Sequence, residues 1–266
     1  MSEPSTEFTT ACNQARALFA KYCSVRMPRD PYEKIRWEMA GVHQFLLDGL
    51  HNMYILAETI PTREEQNFGF YCYCAIQNIF HHHHLEETYI FPKLEPEFKT
   101  DVLSEHAAFH KALEDINTYI LEVLGVDAGK TYGQTVPAPH KQKVPYDGKK
   151  LKTYLEALAG PLLTHLQHEI GWLEPEKIRA SGVPAERFAE IDANIQRQLK
   201  TSYDPHTVFV WAYGHVAPYS YFPDLPWFLV KVLLPWVWYW RHRASWKFFP
   251  DYSKSPFGPL QDIIGA

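Results

Sequence analysis

Apolar residues return every three or four positions along most of residues 32–173, the pattern of helices that each bury one face. The first such segment predicts a helix from about Tyr32 to Ile60, with Ile35, Met39, His43, Leu46, Leu47, Leu50 and Tyr54 on the recurring face; Pro61, which lacks an amide proton, stops it. Thr62 followed by Glu65 has capping-box spacing and opens a second helix, which carries Phe70, Ile76, Ile79, His82 and Glu86 as far as Phe91-Pro92. A third helix spans roughly residues 100–124, ending before Gly125. A fourth runs from about Lys149 to Leu173, and Pro161 is expected to kink or divide it one turn before His165. Residues 175–202 add one or two short amphipathic helices, with Pro175 and Pro184 near their first positions. The Gly/Pro-rich run between the third and fourth helices reads as a surface loop in which His140 faces solvent. No segment reads as a strand. The expected fold is therefore all-α: an up-and-down four-helix bundle over residues 32–175, an irregular or partly helical arm before it (1–31), and a helical, Trp-rich extension after it (176–266).

The faces of these helices carry more than apolar residues. Four positions along a helix turn the side chain by only about 40° and raise it by about 6 Å, so a pair at that spacing can grip one ion or two adjacent ions. His82 with Glu86, His106 with His110, and His165 with Glu169 all have this spacing, and His43 adds an imidazole from the first helix. The run of four histidines at 81–84 cannot all face one way, and His83 with Glu87, one residue on, is a competing register that stays open. His110 with Glu114 also fits the spacing and reads as lying outside the cluster's first layer on the glutamate side. A single such pair is commonplace, but one set on each successive helix is not, because buried His and Glu need partners. His43, His82, Glu86, His106, His110, His165 and Glu169 make five imidazoles and two carboxylates, an inventory that suits two iron ions bridged by carboxylate. Zinc or manganese is also admitted by these donors. The ferritin-like alternative uses Glu-x-x-His, and no Glu here has a His three residues on.

Composition narrows the partners. The net charge of −5 gives no electrostatic case for nucleic acid. The acidic, polar start MSEPSTEF lacks the features of a secretory signal, so a cytoplasmic location is the default expectation. The four cysteines are too few and too irregular for a disulfide framework and read as free thiols; Cys72 and Cys74 point apart on a helix and do not read as a zinc site. From Tyr203 the chain changes character, holding six of the eight tryptophans. Its run FLVKVLLPWVWYW (228–240) is too short to span a bilayer and contains Lys231 and Pro235. Two readings stay open: an apolar flap packed on the bundle, or a peripheral membrane contact through residues 228–243.

The order His, HxxxE, HxxxH, HxxxE, with the strings HHHLEETYIFP, EHAAFH and HLQHE, resembles the hemerythrin and hemerythrin-like (HHE cation-binding) family over roughly residues 32–175. The Trp-rich tail is similar to the extensions of longer fungal-type members. The resemblance implies that His43, His82, His106, His110 and His165 are terminal ligands, that Glu86 and Glu169 bridge two oxo- or hydroxo-bridged irons, and that dioxygen is the partner of the reduced pair. Blood-type oxygen carriers of that family end in HxxxxD, where this chain has HxxxE, and they lack the long loop and tail. The extra chain suggests a lid over a small, mostly apolar substrate and hence a non-haem diiron oxidase or oxygenase. The alternative is a reversible oxygen or iron binder, or a redox or oxygen sensor, without turnover. On the lid reading, deletion of 203–266 is expected to leave the metal in place.

Overall fold

The computed structural model describes residues 6–126 and 143–252, and every regular element within them is helical. Helix α1 (Thr6–Cys23) is followed by α2 (Pro31–Leu56), α3 (Glu65–Leu85), a π-helical turn (Glu86–Ile90) running into the short α4 (Phe91–Leu94), and α5 (Val102–Leu124). Then come α6 (Gly148–Trp172), α7 (Pro175–Ser181), α8 (Glu186–Thr201) and α9 (Val208–Gly214). A π-helical stretch (Leu229–Trp238), a 3-10 turn (Tyr239–His242) and α10 (Arg243–Trp246) end the described chain. His140 lies outside the described residues.

Helices α2, α3, α5 and α6 each lie against the next in a closed ring, and α1 packs across α2 and α6. Local chemistry sets the ends of the long elements. Asp30 caps α2 by accepting from the Tyr32 amide, with Pro31 in the first turn, and Asp147 caps α6 by accepting from the Lys149 and Lys150 amides. Gly125, at φ 71°, closes α5 in the left-handed conformation glycine adopts freely. The 1–31 arm is helical over Thr6–Cys23, and that helix packs into the core, burying Cys12, Ala15, Arg16 and Phe19. One expectation is corrected. The capping box at Thr62 does not form, because Thr62 starts a 3-10 turn ahead of α3. Pro161 sits inside an undivided α6, where the carbonyl it leaves unpaired belongs to the exposed Ala157 and can be served by water.

Part of the C-terminal extension is core. Trp211 and Trp246 are buried, and the Trp211 ring lies so close to α2 that a Cβ on Gly49 would fall 2.2 Å from it. Phe222 covers Gly41 of the same helix in the same way. Polar groups join them: Gln44 donates to the His215 carbonyl at 3.1 Å, Tyr252 donates to Asp48 (3.0 Å) and to the His215 carbonyl (2.7 Å), and Arg16 donates to Asp48 at 2.7 Å. All four cysteines are free and buried.

Two histidines of this region carry a pH prediction. Burial, with the Arg16 guanidinium beside it, holds His51 down to about 3, and burial holds His215 down to about 3. Both stay neutral when folded but gain protons when unfolded below about pH 6.5. Their contribution is present above that pH and lost as pH falls toward 3, at about 1.4 kcal/mol per unit for each group. The melting temperature of the metal-free protein is expected to fall markedly between pH 7 and pH 5, which calorimetry would read; a flat profile would mean that these imidazoles are not buried neutral.

Candidate metal centre

Seven buried side chains meet inside the ring: His43 from α2, His82 and His83 from α3, Glu86 at the start of the π-helical turn, His106 from α5, and His165 and Glu169 from α6. They form two groups, each of which could hold a metal ion: His83, Glu86, His106 and His165 in one, His43, His82, Glu86 and Glu169 in the other. Within each group the donor atoms lie within 4.8 Å of one another. Glu86 belongs to both. Helix geometry explains how α3 serves both sides: taking His82 as zero, Glu86 lies at about 40° and His83 at about 100°, so the carboxylate sits angularly between the two imidazoles. The π-helical turn that begins at Glu86 is the kind of helix irregularity that recurs at functional sites.

The outer nitrogens of three imidazoles are engaged away from the cluster. His43 Nδ1 donates to the Leu166 carbonyl (2.9 Å), His106 Nδ1 to Glu87 Oε1 (2.6 Å) and His165 Nδ1 to Glu105 Oε2 (3.1 Å). Fixing the proton on Nδ1 aims the Nε2 lone pair inward, as metal-ligating histidines require. The Nε2 atoms then face one another, at 3.0 Å for His43 and His82 and 3.1 Å for His106 and His165. Two nitrogens held at about 2.1 Å from one ion and at a right angle lie about 3.0 Å apart, so each pair has the spacing of neighbouring ligands. Glu86 divides its oxygens, Oε1 at 2.7 Å from His82 Nε2 and Oε2 at 3.3 Å from His106 Nε2. Glu169 Oε2 lies 3.1 Å from His43 Nε2 and 3.7 Å from His165 Nε2. The carboxylate oxygens of both glutamates and both ring nitrogens of His83 are buried without a well-formed hydrogen bond. Buried polar atoms in that state need a partner the side chains do not supply, and a cation is one.

Electrostatics point the same way. Burial first, then the neighbouring His82, pushes His43 well below the usual imidazole range, and burial does the same to His83. Burial brings His165 down to about 4. Burial lowers His106 too, but the Glu86 and Glu87 carboxylates beside it outweigh that and its pKa is raised. Burial would raise Glu86, yet His82 and His106 hold it well below the carboxylate range. Glu169 is raised well above that range by burial and by the charge of Glu86. Two carboxylates this close cannot both ionise without positive charge between them.

The structure brings together His43, His82, Glu86, His106, His165 and Glu169 and leaves out His110, whose side chain is 59% exposed and faces Glu114. The buried face of α5 runs through His106, Phe109 and Leu113, so the ring of Phe109, and not His110, lies over the cluster. His83 takes the fifth imidazole place. The two registers of α3 are thus combined: His82 and His83 both face Glu86, while Glu87 orients His106 from outside. Sequence reasoning missed His83 as a partner to His82. It also missed Glu105, which accepts from His165 and, at 2.8 Å, from His168; adjacency to His106 gave no sign of it. His83→Ala is expected to weaken metal affinity by about tenfold or more, on the order of what even an outer-shell loss can cost, whereas His110→Ala should leave it unchanged; metal titration of both variants checks this. Equal losses would restore His110 to the site.

No family model matches the chain, and no solved structure matches it. The chain is similar to the dimeric xanthone biosynthesis cluster protein R11 of Cryptosporiopsis sp. (strain 8999), with 23% identity over 210 residues, covering 75% of this chain and 72% of that protein.

Proposed function

We propose that this chain is a hemerythrin-like protein whose α2, α3, α5 and α6 form a four-helix bundle holding two iron ions, and that it activates dioxygen to oxidise a small, mostly apolar substrate. The observation that carries this reading is Glu86, whose two oxygens face His82 on one side and His106 on the other, as a carboxylate shared between two ions would. The donors fit the group: five imidazoles and two carboxylates suit iron, with zinc or manganese as the competing occupants. When bound and reduced, an iron pair supplies two electrons to dioxygen.

The chain's own residues do the rest. His83, His106 and His165 would hold one ion, His43, His82 and Glu169 the other, and Glu86 both. Glu87, Glu105 and the Leu166 carbonyl keep the proton on the outer nitrogens of His106, His165 and His43, so the inner nitrogens stay free to ligate. Phe19, 5.3 Å from the His43 ring, and Phe109, 4.8 Å from the His83 ring, wall the cluster with apolar surface and exclude water. A dry wall strengthens the electrostatics of whatever forms inside it.

The relative's placement in a biosynthesis cluster supports turnover of a small molecule over carriage of oxygen alone. The burial of every ligand side chain supports a second reading, reversible oxygen or iron binding or sensing, since a diatomic molecule needs the least access. Metal analysis followed by anaerobic reduction and readmission of air separates them. About two irons per chain and a charge-transfer band that disappears when oxygen is removed indicate a carrier or sensor. A transient band indicates an oxidase or oxygenase. Zinc with no visible spectrum refutes both.

A further inference from the structure

We infer that residues 227–243 form a docking surface for an anionic lipid bilayer, a role that does not depend on the metal centre. The segment is fixed from one side only. Leu234 is buried, Trp238 stacks on Phe209 with ring centres 5.9 Å apart, and His206 Nδ1 donates to the Trp238 carbonyl at 3.2 Å. The other side is open. Phe228, Val232, Trp236 and Trp240 follow one another at four-residue intervals, flanked by Trp227 and Val237, and all six are exposed. Trp227 and Trp236, at 72% and 70% exposure, leave most of their surface in water. Single exposed apolar residues need no explanation, but a contiguous aromatic band marks a contact surface.

Charge selects the partner. The chain as a whole carries −5, yet residues 227–249 contain no Asp or Glu and hold Lys231, Arg241, Arg243 and Lys247. Arg241 lies 3.5 Å from Asp204 and Lys247 pairs with Glu64, while the exposed Lys231 and Arg243 flank the aromatic band, the Arg243 guanidinium 5.3 Å from the Trp240 ring centre. Tryptophan settles at the headgroup level of a bilayer, and Lys and Arg beside it attract anionic lipid. A second copy docked on this face would add its own Lys231 and Arg243 to a segment that holds no Asp or Glu over residues 227–249, like charge beside like charge. Among the described residues no helix is long and apolar enough to cross a membrane, and the ten-residue stretch Leu229–Trp238 falls far short, so the contact lies along the surface.

The test is co-sedimentation of the full chain with phosphatidylcholine vesicles with and without phosphatidylserine. The wild type is expected to pellet with the anionic vesicles, to remain in solution with the neutral ones, and to be released by salt. Replacing Trp227, Trp236 and Trp240 together by Ser should lower binding at least about tenfold while the melting temperature and metal content match the wild type. Lys231→Glu with Arg243→Glu should abolish the preference for anionic lipid. If the triple variant does not fold, quenching of wild-type tryptophan fluorescence by brominated acyl chains replaces it: quenching supports the proposal, and its absence overturns it. The proposal also fails if the wild type ignores anionic vesicles, if the tryptophan variant binds as well, or if the wild type is a dimer that the tryptophan variant splits, which would give the face to a second copy.

Discussion

Glu86→Ala is expected to empty both halves of the metal centre at once. The side chain is fully buried, and its oxygens point at imidazoles from different groups, so one truncation removes a candidate donor from each. On the proposed two-ion site, the expected outcome is loss of metal affinity beyond the roughly 10- to 100-fold that loss of an outer-shell partner costs, with metal content near zero. Glu87→Ala supplies that comparison: it touches only the outer nitrogen of His106 and should weaken binding within that smaller range. Glu86→Gln keeps the volume and removes the charge, so it separates ligation from packing; it should fold and still lose metal. Added metal stabilises a binding-competent chain by about 4 kcal/mol at a thousandfold excess over its dissociation constant, which a thermal melt reads directly. Full metal content in both Glu86 variants would mean that the carboxylate is shared by hydrogen bonds and not by ions.

How the cluster could be seen from the sequence follows from the helix step. His82 with Glu86 and His165 with Glu169 are legible because a four-residue spacing keeps both side chains on one face. The same rule misplaces His110, since the periodicity of α5 already assigns its buried face to His106, Phe109 and Leu113. It also sets His82 and His83 against each other, when an acceptor lying angularly between them can serve both. Helix ends in α2, α5 and α6 follow from Asp30, Gly125 and Asp147, which act locally. The role of α1 does not: its inward face is made of Cys12, Ala15 and Phe19 around an Arg, and Arg16 is buried only because Asp48 of another helix receives it. The docking of the extension leaves one trace in the sequence, two glycines inside α2 in a helix otherwise built to pack.

Deleting residues 203–266 is expected to collapse the fold, contrary to the lid reading in which the metal survives. Trp211 and Trp246 are buried core residues, and removing one large aromatic from a core costs about 3–5 kcal/mol. Two such losses reach about 6–10 kcal/mol, comparable to the entire stability of a typical domain, about 5–15 kcal/mol. Further costs come from the polar groups the extension satisfies. Asp48 would lose Tyr252, Gln44 would lose the His215 carbonyl, and Tyr71, fully buried, would lose His215 Nε2 at 2.6 Å. The shortened chain should therefore be insoluble or lack a cooperative melt, and without a fixed α2 and α3 it cannot bring His43 to His82. Gly49→Ala tests the same contact with one methyl group, placed 2.2 Å from the Trp211 ring, and should cost about 1–3 kcal/mol through overpacking. A truncated protein that keeps its metal and melts within a few degrees of the full chain would make the extension an accessory. Because α2 carries Gly41 and Gly49 beneath Phe222 and Trp211 and also carries His43 toward the cluster, the helix that positions His43 is the one the extension holds in place.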